Sequence, residues 1–365
     1  MIPNKRGMFV LLALVVLICS FQTCFSEIGC RDENNNLVDW YYLYKLPEAA
    51  AASNNDHNLD KEVTAGLHYA FITSKRTAGW QISEKNVNQS ESIPGRTLNP
   101  LLTGGNQLLR ILYNDEPPKG ETDGLRGHTK GVVATDGTTG FWLIHSVPKY
   151  PPMLGESYHY PDTGKMYGQS FLCITVGVDQ MEKIGQQLIL NEPHVYSFTI
   201  PDELKERFPK LVRATEMKAN KEPPFWNAVN LKSSGGTVFH SFAKSRQFKK
   251  ELYADFIAPS LQVDLLVETW QHGAGNLPSD CSTSKWKVLN VKQVQINDKC
   301  QFATLKDHSK WAVSVPGDAD YVCIGDINRQ EHQKVRGGGS VCSQLDDVVA
   351  VYRIMVEDIE SCPKK

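Results

Sequence analysis

Gly127-His128-Thr129-Lys130-Gly131-Val132-Val133-Ala134, a turn at Asp136-Gly137, then Phe141-Trp142-Leu143-Ile144-His145: this stretch decides the fold. Two short apolar runs around a glycine-containing turn predict a β-hairpin. On an extended strand, side chains two apart share a face, so His128 and Lys130 can aim an imidazole and an ammonium at one anion. The same spacing returns at His308-Ser309-Lys310. Two such pairs from two half-chains suit phosphoryl transfer without a metal. The imidazoles serve as nucleophile and acid, and the lysines hold phosphate oxygens.

Outward from the hairpin, the pattern predicts strands over 38–45, 67–73 and 171–178, a short apolar run over 107–114, and a glycan-bearing loop over 83–105. Helices are expected over 201–217 and 238–256, the second carrying Lys244, Arg246, Lys249 and Lys250. Strands return over 261–270, 286–296, 310–315, 321–325 and 348–355. In each half a His-x-Lys opens a strand, and a further short strand follows that leads to a polar side chain, His145 in the first and Asn328 in the second. The fold class is α/β, two similar mixed-sheet halves with flanking helices, divided as 27–200 and 201–365.

Residues 1–26 read as a cleaved secretory signal: Lys5 and Arg6 precede an apolar run from Met8 to Cys19, with small residues near Ser26. The run is short for a bilayer span, and no later segment is apolar enough for one, so no membrane insertion is expected. A hydrophobic content of 41% predicts a sizeable core. The nine cysteines become Cys30, Cys173, Cys281, Cys300, Cys323, Cys342 and Cys362 after cleavage; seven is odd, so at least one stays free. Asn88-Gln89-Ser90 is a glycosylation sequon. Net charge is −2, and loss of Lys5 and Arg6 makes it −4. Ten protonated histidines would bring it to about +6, which suits a polyanion ligand in an acidic compartment. No CxxC, HExxH or carboxylate cluster is present, so no metal and no cofactor is expected. Arg336-Gly337-Gly338-Gly339-Ser340 offers backbone N–H groups and a guanidinium to phosphate, and Lys244 offers a backbone contact to a nucleic acid.

Several blocks together resemble deoxyribonuclease II. They are Val38-Asp39-Trp40 with Tyr44-Lys45-Leu46-Pro47, the 127–131 block, His145-Ser146-Val147-Pro148, Tyr167-Gly168-Gln169-Ser170, Trp286 to Val291, Asp307 to Trp311, Gly325 to Arg329, and the glycine run after Arg336. The match spans nearly the whole mature chain. It implies a metal-free acid endonuclease of lysosomes that leaves 3′-phosphate and 5′-hydroxyl ends on DNA; secretion is the alternative destination. It also implies the phospholipase D-like fold, a monomer built as an internal pseudo-dimer around one site. The related HKD pattern places an Asp five residues after the Lys, where this chain has Thr135 and Val315; Asp136 stands one residue late. The family's disulfides map onto Cys30–Cys173, Cys281–Cys362 and Cys323–Cys342, leaving Cys300 free.

The expected mechanism has His128 attack phosphorus while His308 protonates the leaving 5′ oxygen; Lys130, Lys310, His145 and Asn328 hold the developing charge, with Arg336 and Lys244 as further substrate contacts. Pseudo-symmetry permits the reverse histidine assignment. Two rival readings stand beside it. One is a ribonuclease-like two-histidine enzyme; the other is a secreted binding or toxin protein on a nuclease scaffold.

Overall fold

The computed structural model describes residues 27–48, 65–282, 286–297, 300–317 and 319–363. The expected signal sequence, 1–26, lies outside them. Eight strands form the first sheet: β1 (Trp40–Lys45), β2 (Tyr69–Thr73), β3 (Arg76–Ile82), β4 (Leu109–Asn114), β5 (Lys130–Thr135), β6 (Thr139–His145), β7 (Gln169–Gly177) and β8 (Val195–Thr199). Their order is β3-β2-β1-β7-β6-β5-β4-β8, antiparallel throughout.

The second sheet holds β9 (Trp226–Lys232), β10 (Val238–Lys244), β11 (Leu265–Glu268), β12 (Val288–Asn297), β13 (Cys300–Ala303), β14 (Trp311–Ser314), β15 (Val322–Gly325) and β16 (Gly338–Ser343). The order is β13-β12-β11-β14-β15-β16-β10-β9, and β17 (Val356–Ile359) pairs with β12. Among the described residues only the β11–β12 pair is parallel, which makes this sheet mixed.

The inner five strands correspond one to one: β1-β7-β6-β5-β4 in the first sheet repeats as β10-β16-β15-β14-β11 in the second. Alternation explains how each sheet fills both faces. On β1, Trp40, Tyr42 and Tyr44 enter a central core, while Tyr41 and Leu43 enter an outer one. The central core also takes Trp311, Val313, Val322, Ile324 and Val341 from the second sheet, so the two halves pack into one another. Helix α1 (Ile93–Leu102) buries Leu98, Leu101 and Leu102 in the outer core of the first half. Helices α2 (Met181–Asn191) and α3 (Asp346–Ile354) bury Ile184, Leu188, Val348, Val349 and Tyr352 in the central core.

Several local expectations need correction. Most of the 238–256 segment is not a helix: it is β10 and a 3-10 turn at Arg246–Phe248, and only its end is helical, a π-helical stretch Tyr253–Ile257 that runs into a short α-helix, Ala258–Leu261. Phe239 and Phe242 would share a helix face, yet they enter different cores, as strand alternation requires. The 348–355 segment is not a strand but most of α3. Asp346 and Asp347 sit in its first turn, and Val348, Val349 and Tyr352 follow helical spacing. The 83–105 loop contains α1, which Ser92 caps through the Gly95 N–H at 3.1 Å; Pro94 lies in the first turn, where its missing N–H is harmless. Within the glycine run after Arg336, Gly338 and Gly339 begin the interior strand β16. The 201–217 helix exists as two pieces, Asp202–Lys205 and Pro209–Thr215, with Pro209 opening the second.

Cys30–Cys173, Cys281–Cys362 and Cys323–Cys342 are bonded, the pairs the resemblance implies. Cys300 is free and buried, and burial pushes its thiol up to about 12. Asn88 is exposed. No helix among the described residues is long and apolar enough to cross a membrane.

Candidate active site

The two His-x-Lys motifs meet where β5 and β6 of one half face β14 and β15 of the other. Register fixes the local geometry. Gly131 pairs with Ile144, so Lys130 lies across from His145. Trp311 pairs with Ile324, and the Gly325 N–H donates to the Lys310 carbonyl at 2.9 Å. Each histidine is then pinned by the opposite half. The His128 N–H donates to the Gly337 carbonyl at 2.9 Å, and the His308 N–H to the Gly168 carbonyl at 2.9 Å. Gly168 and Gly337 hold equivalent places, one residue before β7 and β16. The crossing demands close approach: a Cβ on Gly127 would sit 3.0 Å from the Gly337 carbonyl oxygen, and one on Gly168 would sit 2.4 Å from Asp307 Oδ1.

His128, Lys130, His145, Ser146, Lys310 and Asp326 line one narrow cleft. His308 borders it, its Nδ1 lying 3.1 Å from the Ser146 carbonyl and 3.5 Å from Lys310 Nζ. With Nδ1–H donating to that carbonyl, Nε2 is the nitrogen left for chemistry. His145 has the opposite tautomer. Its Nδ1 accepts the Val147 N–H at 3.2 Å, so the neutral ring carries its proton on Nε2, which is buried without a partner. That N–H is a donor available to an anion in the cleft.

Carboxylates missed in the sequence complete the site. Asp115 follows β4 directly, contacts Lys130 Nζ, accepts from Arg336 Nη2 at 3.0 Å, and lies 3.9 Å from His128 Nε2. The corresponding place after β11 is Trp270, whose ring meets the His308 ring edge-on at 5.0 Å. The two halves therefore differ: His128 has a carboxylate neighbour and His308 an aromatic one. Asp326 accepts the Thr129 hydroxyl across the junction at 2.7 Å. Asp307 accepts from the Tyr44 hydroxyl and from Ser309 Oγ at 2.8 Å, bracing the second motif from behind. The available signal was positional: Asp115 ends a strand beside Asn114, and Asp326 falls inside the Gly325-to-Arg329 block.

Burial, with neighbouring cations second, holds His128 and His308 well below the ordinary imidazole range; for His145 the second cause is Lys130 alone. Burial and Lys130 lower Lys310 to about 7. Burial raises Asp326 to about 7 against the Thr129 hydrogen bond.

Other candidates stand further back. Asn328 is buried with Oδ1 unpartnered, three residues past the position that matches His145, and it does not line the cleft. Arg336 is mostly buried; its Nε donates to the Arg126 carbonyl at 2.9 Å, so it steadies Asp115 from the rim. Lys244 is no surface contact for DNA. It is wholly buried at the end of β10, and Nζ donates to the carbonyls of Gln333 at 3.0 Å and Arg336 at 2.6 Å. Asp136 caps its own turn, Oδ1 accepting the Thr138 N–H at 2.7 Å and the Thr139 N–H at 2.9 Å. Among the described residues, no group of three or more His, Cys, Asp or Glu is arranged to hold a metal ion.

Comparison with known proteins gives the family. The family model described as Deoxyribonuclease II matches residues 29–362. The chain is 38% identical to Plancitoxin-1 of Acanthaster planci over 99% of each chain. It is 36% identical to Deoxyribonuclease-2-beta of Homo sapiens over 92% of each. With Deoxyribonuclease-2-alpha of Sus scrofa it shares 34% identity over 93% of this chain and 92% of the other.

Proposed function

The chain belongs to the deoxyribonuclease II family and is a deoxyribonuclease, and from that premise we propose that it is an acid endonuclease cleaving duplex DNA without a metal to 3′-phosphate and 5′-hydroxyl ends. The carrying observation is the convergence of His128, Lys130, His145 and Lys310 on one cleft bordered by His308. Lys130 and Lys310 with His145 Nε2–H bind the non-bridging oxygens. His128 attacks phosphorus, forming an N–P bond as the P–O5′ bond breaks; protonated His308 gives its proton to the departing 5′ oxygen. Neutral His308 then takes a proton from water, whose oxygen attacks phosphorus and displaces His128. Asp115 favours His128 as the nucleophile, because it lies 3.9 Å from the ring that becomes positively charged, and His308 has Trp270 at the equivalent place.

Burial first, and the neighbouring cations second, disfavour protonation of both imidazoles. Protonating His308 therefore needs acid, or the entry of a phosphodiester anion, so cleavage is strongest at low pH. The expected signal sequence, the three disulfides and the exposed Asn88 sequon support passage through the secretory pathway, and a need for acid favours lysosomes as the destination. The likeness to Plancitoxin-1 supports release outside the cell as the second reading.

The test is a pH profile on duplex DNA in EDTA with end-group analysis of the products. Cleavage at pH 5 to 3′-phosphate ends is expected. His128→Ala and His308→Ala should each lose about 10³-fold or more while melting normally. Cleavage that disappears in EDTA, or 5′-phosphate ends, would overturn the reading.

A further inference from the structure

Asp326 stands where no catalytic part has been assigned. It follows β15 as Ser146 follows β6, and both line the cleft. One carboxyl oxygen, Oδ2, is occupied by the Thr129 hydroxyl at 2.7 Å. The other, Oδ1, is buried and has no partner. An ionised carboxylate in that position would face an incoming phosphate with like charge and an empty acceptor. A neutral carboxyl would face it with an O–H donor.

We propose that Asp326 is a catalytic residue that works in its neutral form, its carboxyl O–H donating a hydrogen bond to a non-bridging oxygen of the scissile phosphate. The proposal rests on the phosphodiesterase reading above. A buried acid kept neutral in order to donate is an established catalytic device. No bond to phosphorus forms or breaks at Asp326, and its proton stays with it through the step.

The surroundings support the protonated state. From β5 and the turn before it, Asp326 meets Lys130, Thr129 and His128; His145 of β6 and Lys310 face it across the cleft. Tyr113 of β4 and Tyr253 of the π-helical segment Tyr253–Ile257 lie near enough to be destabilised as phenolates by its charge. Thr129, Lys130 and the Lys130 and Gly339 backbone N–H groups favour ionisation; burial opposes them and prevails, leaving the group at about 7. The carboxyl therefore carries its proton below pH 7 and loses it above. As pH rises through 7, the phosphate loses a donor and gains a repelling charge. Lys310 loses its own charge over the same range. The alkaline limb of the rate profile then depends on both groups.

The experiment is kcat/KM against pH on duplex DNA in EDTA, for the wild type, Asp326→Asn and Thr129→Val. The amide in Asp326→Asn is a fixed neutral donor, so D326N should lower activity about threefold at pH 5 yet raise the pH 7.5 to pH 5 ratio about tenfold, with an alkaline limb one proton less steep. T129V removes the hydroxyl that favours the carboxylate, so its limb should move to higher pH. If D326N does not fold, T129V alone decides. Limbs that superimpose on the wild type would overturn the role of Asp326 while leaving the reaction intact. A wild type that does not cleave in EDTA would overturn both.

Discussion

Replacing Asp115 by Asn would separate two things this carboxylate does. Asp115 and Lys130 are both nearly buried, and the carboxylate touches Lys130, Arg336 and, at 3.9 Å, His128. The substitution leaves the cleft more positive, so binding of a polyanion should hold or tighten. It also strips the counter-charge from an imidazole that becomes cationic on attack. Two unit charges at about 4 Å interact by about 4 kcal/mol at the effective dielectric of a partly buried site. Lost only in the transition state, that is about 10³-fold in kcat with KM unchanged or lower. Stability should fall as well, by about 2 kcal/mol, because the buried Lys130 loses its nearer carboxylate and keeps only Glu116, at 3.6 Å. Single-turnover cleavage of an end-labelled duplex at pH 5 in EDTA measures the first effect, and thermal melting the second. A kcat within threefold of the wild type, or a loss confined to KM, would refute the account of His128 as the nucleophile.

Lys244→Met should destabilise the fold by about 3 kcal/mol, since it leaves carbonyls of the 333–336 segment unsatisfied; chemical denaturation measures it, and an unchanged midpoint would contradict the structural role. Converting Cys30 and Cys173 to Ala opens a 143-residue separation and should lower stability by about 2–5 kcal/mol, read in the same assay. The depressed pKa values of His128, His145 and His308 have a stability consequence of definite sign. The unfolded chain takes up these protons near pH 6.5 and the folded chain only lower, so their contribution is intact above 6.5 and falls as pH drops below it. Inorganic phosphate in the cleft should reverse part of that loss, raising Tm more at pH 5 than at pH 7.5; an equal rise at both would count against an anion site beside these rings.

What the sequence disclosed was the part governed by short-range alternation. The β5–β6 hairpin, β14 and β15 were legible because apolar runs and a glycine turn specify them locally. Helix α3 was not, since Val348, Val349 and Val351 favour strand by propensity and only packing on Tyr352 and the central core shows the other period. Strand β10 failed for the converse reason: its apolar spacing fits a helix until β9 and β16 are placed on either side. In the site, the motif residues were readable and their neighbours were not. Asp115 acquires its position through pairing of β4 with β5, and Asp326 through contact with Thr129 in the other half, neither of which is encoded nearby in the chain.

The three disulfides among the described residues each lie within a half: Cys30–Cys173 in the first, Cys281–Cys362 and Cys323–Cys342 in the second. Between Thr215 and Trp226 the connection passes through exposed Lys221, Glu222, Pro223 and Pro224. The halves are therefore joined covalently by one accessible stretch of backbone, and otherwise by the apolar face they share and the hydrogen bonds and ion pairs that cross it. A protease that cuts there would convert one chain into two fragments without breaking a sheet, a disulfide or either His-x-Lys pair. The cleaved form should keep its active site as a non-covalent heterodimer, and co-expressed halves should find each other and restore it.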